Sequence, residues 1–185
     1  MNVYPIEAGN FKLDGGAMFG VVPKSLWTKT NPADADNMIE MSSRCMLVEN
    51  SDKLILVDTG MGDKQSEKFF KYYKRWGSDN LVKSINSAGF SIDDVTDVLL
   101  THLHFDHCGG AVAWDSSKEA YDVLFKNANY WSNEKHWGWA TNPNPREKAS
   151  FLDENLFPIK ESGQLRFVSN MSVSYTHLRA HETLP

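Results

Sequence analysis

Residues 102–107 read His102-Leu103-His104-Phe105-Asp106-His107, directly after the apolar run Asp97-Val98-Leu99-Leu100-Thr101. The run predicts a strand over 97–101, so the cluster begins where a strand ends. Four candidate metal ligands stand within six residues, and their order has a physical logic. Extended backbone sends alternate side chains to the same side, so His102 and His104 can grip one ion. Asp106 and His107 come just past the strand, where the chain can turn to face a second ion. Imidazole nitrogens with a carboxylate oxygen suit zinc and similar borderline divalent ions. Gly109 and Gly110 follow at once, as needed where backbone passes close to a metal cluster before a helix starts. Surface histidines that merely happen to lie at a strand end would need neither this spacing nor this setting.

Outward from the cluster, the chain alternates strand and helix signals. Residues 3–13 and 17–22 are apolar-rich runs separated by Asp14-Gly15-Gly16, which predicts a hairpin. Arg44 to Glu49 and Lys53 to Asp58 predict a second hairpin, turned at Asn50-Ser51-Asp52. Asp63 is read as the N-cap of a helix through Phe69, Phe70, Tyr73 and Trp76, with Gly77 past its end. A further helix is expected from about Asn80 to Ala88, stopped by Gly89, and a strand at Ala120 to Phe125. Trp131, Trp137 and Trp139 precede the proline-broken loop Asn142-Pro143-Asn144-Pro145-Arg146, and a short helical piece is expected around Lys148 to Asn155. That aromatic stretch either walls a substrate pocket, with His136 and Trp137 as candidate lining residues, or packs the loop on the core. Hairpins first and helices between later strands make an α/β (α+β) sandwich of mixed sheets covered by helices.

Size and composition allow an ordinary globular domain. The 185 residues are 41% hydrophobic and 23% charged, enough to bury a core. A net charge of −5 gives no basic footprint for nucleic acid or an anionic membrane. The N-terminus Met1 to Glu7 lacks a basic segment followed by an apolar run, and no stretch reaches the roughly 20 apolar residues that span a bilayer. Cys45 and Cys108 make no disulfide framework, so a cytoplasmic setting is the expectation. Cys108, beside His107, reads as a small buried thiol or, less simply, as a further ligand.

At the histidine cluster the chain resembles the metallo-β-lactamase superfamily of metallohydrolases. Leu54-Ile55-Leu56-Val57-Asp58-Thr59-Gly60 is similar to the family's strand ending in an Asp-Thr-Gly turn beneath the metal site. Asp14 to Pro23 resembles the opening hairpin of its lactonase-like branch, related to quorum-quenching enzymes. The resemblance runs from about residue 4 to about residue 170, and it implies an αββα sandwich with a dinuclear zinc site. It also implies that His102 and His104 hold one Zn2+ and Asp106 and His107 the other. Asp106 is then the catalytic candidate, steering the nucleophile or protonating the leaving group. Asp58 would orient a ligand histidine or the loop, or else only close its own turn. His136 is either a polar group of the pocket or an ordinary surface histidine.

The same resemblance sets an expectation of incompleteness. Family members complete the site with a later Gly-His segment, a bridging Asp and a final His. Between Cys108 and Met171 the only histidine is His136, in Trp131-Ser132-Asn133-Glu134-Lys135-His136-Trp137, which does not match that segment. Val173 to Thr183 resembles a peptide produced by reading through a sequencing-library adapter. The i, i+4 pair His177 and His181 lies inside it and is not read as a zinc site for that reason. Residues 1–172 are therefore expected to be an incomplete domain, half to two-thirds of the fold, and 173–185 a non-native tail. The functional expectation is a zinc-dependent hydrolase of a small-molecule ester, with a lactone preferred. Two alternatives stand beside it: a mononuclear iron dioxygenase-like member of the superfamily, and an inactive fragment of the hydrolase.

Overall fold

The computed structural model describes residues 1–168; the adapter-like segment 173–185, with its two histidines, lies outside the described residues. Strand β1 (Asn2–Asp14) pairs antiparallel with β2 (Met38–Asn50), with a register shift between Glu7 and Asn10 where Gly9 takes a φ of 125°. The expected first hairpin does not form. Asp14 caps a helix instead, its Oδ1 accepting from the Ala17 amide at 2.7 Å, so α1 (Gly15–Phe19) and then α2 (Lys24–Trp27) replace the returning strand. A short acidic side chain ahead of amides it can reach favours a cap over a hairpin turn. The second hairpin forms as read: β2 turns at Ser51 and Asp52 into β3 (Lys53–Val57).

The helix expected from Asp63 to Trp76 is shorter. Its N-cap is Ser66, whose Oγ accepts from Phe69 N, and α3 spans Glu67–Tyr72. Trp76 lies beyond it and makes a bridge to Asn10 of β1. Helix α4 (Leu81–Ser87) follows, capped by Asn80, as read from Asn80 and Gly89. Next come β4 (Asp97–Leu99), α5 (Phe105–Cys108) and a two-stranded sheet of β5 (Val112–Trp114) with β6 (Tyr121–Val123). Strand β7 (Asn129–Ser132), α6 (Glu134–Thr141), a 3-10 turn at Lys148–Ser150, α7 (Asp153–Glu161) and β8 (Leu165–Phe167) complete the described chain.

The larger sheet runs β1-β2-β3-β4-β7-β8, antiparallel through β3 and parallel from β3 onward. Its core is a contiguous cluster that includes Ile6, Leu47, Leu56, Val98, Tyr130 and Leu156, all fully buried. No helix among the described residues is long and apolar enough to cross a membrane. The parallel part positions the site. In open sheets the crevice beyond the carboxyl ends of parallel strands is where loops converge. Here those ends belong to β3, β4 and β7, which deliver Asp58, the histidine loop and His136 respectively.

Candidate functional site

Strand β4 ends at Leu99, and after Leu100 donates to Trp131 O the chain leaves the sheet as the histidine loop. The two apolar residues inside the motif are its anchors. Leu103 is fully buried in the main core, while Phe105 enters a second cluster with Phe11 and Met61. Phe105 meets Phe69 and Tyr73 with ring centroids 5.4 and 4.9 Å away. Burying Leu103 and Phe105 turns the residues between them the other way, which gathers the histidines. His102 lies 4.7 Å from His104 and 3.9 Å from His107 by ring centroids. The Asp106 Oδ2 is 3.7 Å from His107 Nε2.

Asp58 ties this loop to the end of β3. Its carboxylate accepts from Thr101 N at 2.8 Å and from the Thr101 hydroxyl, and it meets His107 Nδ1 at 2.9 Å. With a carboxylate as acceptor, Nδ1 carries a proton, and Nε2 is the nitrogen turned toward Asp106. A carboxylate fixing the tautomer of a histidine in this way is the usual support of a metal-ligating imidazole. Asp58 does so from the left-handed region, φ 60°, a conformation that costs a non-glycine residue about 1 kcal/mol and persists where surroundings over-determine it. Thr59 adds two bonds, its amide and hydroxyl both donating to His107 O. Thr59 belongs to the Asp-Thr-Gly turn, whereas Thr101 carries no motif signal; the pairing of the 58–59 turn with the 101–107 loop is a tertiary fact.

Burial keeps His102 in the form a cation requires. Burial, and then the neighbouring His107 and His104, hold His102 down to about 3, so its ring is neutral at physiological pH. A neutral imidazole offers a lone pair to a metal. Burial pushes the Cys108 thiol up to about 12, and its Sγ donates to Leu103 O, which makes it a packed thiol in this arrangement. As arranged, no three His, Cys, Asp or Glu side chains among the described residues converge on one point that could hold an ion. The donor set, imidazoles with carboxylates, nevertheless suits a zinc-class ion chemically.

His136 and Trp137 fall in different environments. Trp137 is buried, edge-on to Phe167 at 6.2 Å. His136 is half-buried, and its Nε2 accepts the Leu103 amide at 3.0 Å. A cavity of about 350 Å³ is lined by Asn10, Met61, Asp63, Arg75, Trp76 and Asp79, among others, and not by these two. Lys64 was not singled out by the sequence, since a lone lysine in a polar turn carries no motif. It is buried, and its ammonium donates to Gly109 O just past the motif.

Comparison with known proteins places this geometry. The family model described as "Metallo-beta-lactamase superfamily" matches residues 39–178. An N-acyl homoserine lactonase of Bacillus cereus is 28% identical over 104 residues, which is 51% of this chain and 40% of that protein. A probable metallo-hydrolase of Mycobacterium tuberculosis is 31% identical over 108 residues, 51% of this chain and 35% of that one. Among solved structures, a probable metal-dependent hydrolase from Staphylococcus aureus superposes with a TM-score of 0.81 at 30% identity, covering 90% of this chain and 58% of its own. The dizinc quorum-quenching lactonase AidC, in complex with a product, shares the fold with a TM-score of 0.67 at 24% identity, covering 94% of this chain and 60% of its own. The chain thus spans about 35–40% of these sequence relatives and about 60% of these structures. With the fold, the Asp-Thr-Gly turn and the histidine loop in place, the chain belongs to the metallo-β-lactamase superfamily.

Proposed function

We propose that the protein is a metal-dependent hydrolase that opens a lactone-type cyclic ester, with His102, His104, Asp106 and His107 as ligands for two zinc-class ions. The observation that carries this reading is the gathering of neutral His102 with His104, His107 and Asp106 at the carboxyl ends of β3 and β4. The lactonases among its relatives support the substrate class. A bound pair of such ions would supply Lewis acidity to the ester carbonyl and acidify a water at neutral pH. The chain's own residues do the rest. Leu103 and Phe105 hold the loop from below, so the imidazoles keep one orientation. Asp58 keeps the proton of His107 on Nδ1 and Nε2 on the ligand side. Asp106 accepts a proton from the attacking water as the new acyl C–O bond forms, and returns it to the alkoxide when the ring C–O bond breaks.

The test is elemental analysis beside pH-stat titration of a simple γ-lactone, for the full-length parent protein and its His104→Ala variant. We expect zinc-class metal with acid release, and at least a hundredfold loss in the variant with circular dichroism unchanged. Equal turnover in His104→Ala overturns the site. Iron with oxygen uptake, in place of acid release, overturns the hydrolase.

A further inference from the structure

We propose that His136 is a positioning residue for the histidine loop: its Nε2 accepts the Leu103 amide and so fixes the backbone between His102 and His104. The inference rests on the metal-site reading above for its purpose, and on geometry for its substance.

Leu103 N–H is a donor with an accounting problem. The ladder between β4 and β7 has ended by this point, the last bond being Leu100 N to Trp131 O. The Leu103 side chain is drawn fully into the core, which pulls its amide away from water. A donor left unpaired there would cost about 1–3 kcal/mol. His136 meets it at 3.0 Å. An imidazole that accepts at Nε2 carries its proton at Nδ1, so one tautomer is specified.

The ring is itself held in place. Asn133 caps α6, its side chain accepting from the amides of Lys135 and His136 at 3.0 and 3.2 Å, which fixes the first turn of the helix. Phe151 lies 5.9 Å from the His136 ring and 4.9 Å from the His104 ring, so one phenyl group touches both. Trp139 stands edge-on at 6.1 Å. The loop is thereby gripped from two neighbouring strands. Asp58, at the end of β3, takes Thr101 and His107; His136, after β7, takes Leu103 between them. Fixing the Leu103 amide fixes the peptide plane that joins it to His102 and restrains the backbone from which His102 and His104 project. Outer hydrogen bonds of this kind typically shift metal affinity by about 10–100-fold.

The test uses the natural protein with His136→Ala and His136→Gln. The Gln side-chain oxygen can reach the place of Nε2 and accept. Zinc affinity is measured by competition with a chromophoric chelator, and exchange of the Leu103 amide by NMR. We expect His136→Ala to bind zinc about 10–100-fold more weakly, with faster Leu103 exchange, and His136→Gln to recover most of both. Nitrogen shifts of His136 in the unsubstituted protein should report a protonated Nδ1 and a bare Nε2. Unchanged Leu103 exchange in His136→Ala, the opposite tautomer, or a Gln variant as weak as Ala overturns the inference alone. A natural protein that takes up no zinc overturns the metal reading, and the positioning role with it.

Discussion

A Cβ built on Gly109 would stand 2.2 Å from the Met61 carbonyl oxygen, and one on Gly110 2.2 Å from that of Thr59. Gly110 N also donates to Gly60 O at 2.9 Å, so the two backbones run against each other with no space between. The pair is glycine because the Asp58–Met61 turn presses on it. We expect Gly109→Ala and Gly110→Ala each to lower stability by about 1–3 kcal/mol in urea denaturation. Gly138, in the interior of α6 with nothing within 4 Å of its Cβ position, is the contrast. There Gly→Ala is expected to raise stability by about 0.5–1 kcal/mol. A Gly110→Ala protein as stable as the natural one would refute the close approach. The Gly-Gly pair was legible in the sequence as a backbone needing room, but the object it makes room for lies about 50 residues earlier in the chain. The four motif residues stood out for the opposite reason, that they are dense within six positions, while the Asp58 turn was read from the family resemblance. Lys64 was not legible, and His136 was read only as a pocket or surface group, because each acts on a backbone atom and leaves no pattern of residue types.

Between elements, Asp97 does what side-chain packing alone does not. Its buried carboxylate accepts from Lys53 Nζ of β3 at 3.1 Å, from the Thr96 hydroxyl at 2.8 Å and from the Trp131 indole of β7 at 2.7 Å. It thus joins three adjacent strands, one of which delivers the histidine loop. Burial alone would raise Asp97, but these donors together outweigh it and hold the carboxyl below its ordinary 3.8. A depressed folded value means that the contribution is present above the unfolded value and fades as pH falls through the folded one. Asp97→Asn should therefore cost about 2 kcal/mol at pH 7, and the gap to the natural protein should narrow once the pH drops below the unfolded value. Urea midpoints at neutral and acid pH measure this; a gap that widens in acid would reverse the sign. Element boundaries show where local sequence stops informing. The β2–β3 hairpin and α4 carry their own turn and cap residues, so both were readable. The partner of β1 was not, because two short helices intervene and only the finished sheet rewards that pairing. The end of α3 was misplaced because Phe69, Phe70, Tyr73 and Trp76 keep helical spacing, while Trp76 gains more from bridging to Asn10.

Across the whole molecule, Lys64 is where the fold holds a charge it would rather expose. It lies in the turn between β3 and α3, buried, with its ammonium on Gly109 O and its own carbonyl accepting the Trp114 indole of β5. Burial holds the amine down to about 8 from 10.5, outweighing Glu154 of α7 and Asp63, which favour the charged form. Between those two values the unfolded chain binds more protons than the folded one, so Lys64 makes stability rise with pH across that window. The two buried thiols act in the opposite sense. Cys45 and Cys108 are each pushed up from 9 to about 12, so they remain protonated in the fold where the unfolded chain has ionised, and stability falls as pH climbs past 9. The rise from Lys64 should thus be visible alone from about pH 8 to 9 and be opposed above it. Comparing the natural protein with Lys64→Met removes the thiols from the difference, because both proteins carry them. The stability difference should shift in favour of the natural protein as pH increases, by as much as about 3 kcal/mol over the full window. Below pH 7 it should be flat, since the lysine is then charged in both states. Chemical denaturation of the two proteins at pH 6.5, 8 and 9.5 decides it. A difference that does not move over that range would mean that Lys64 is solvated in the folded chain, and its grip on Gly109 would then be weak.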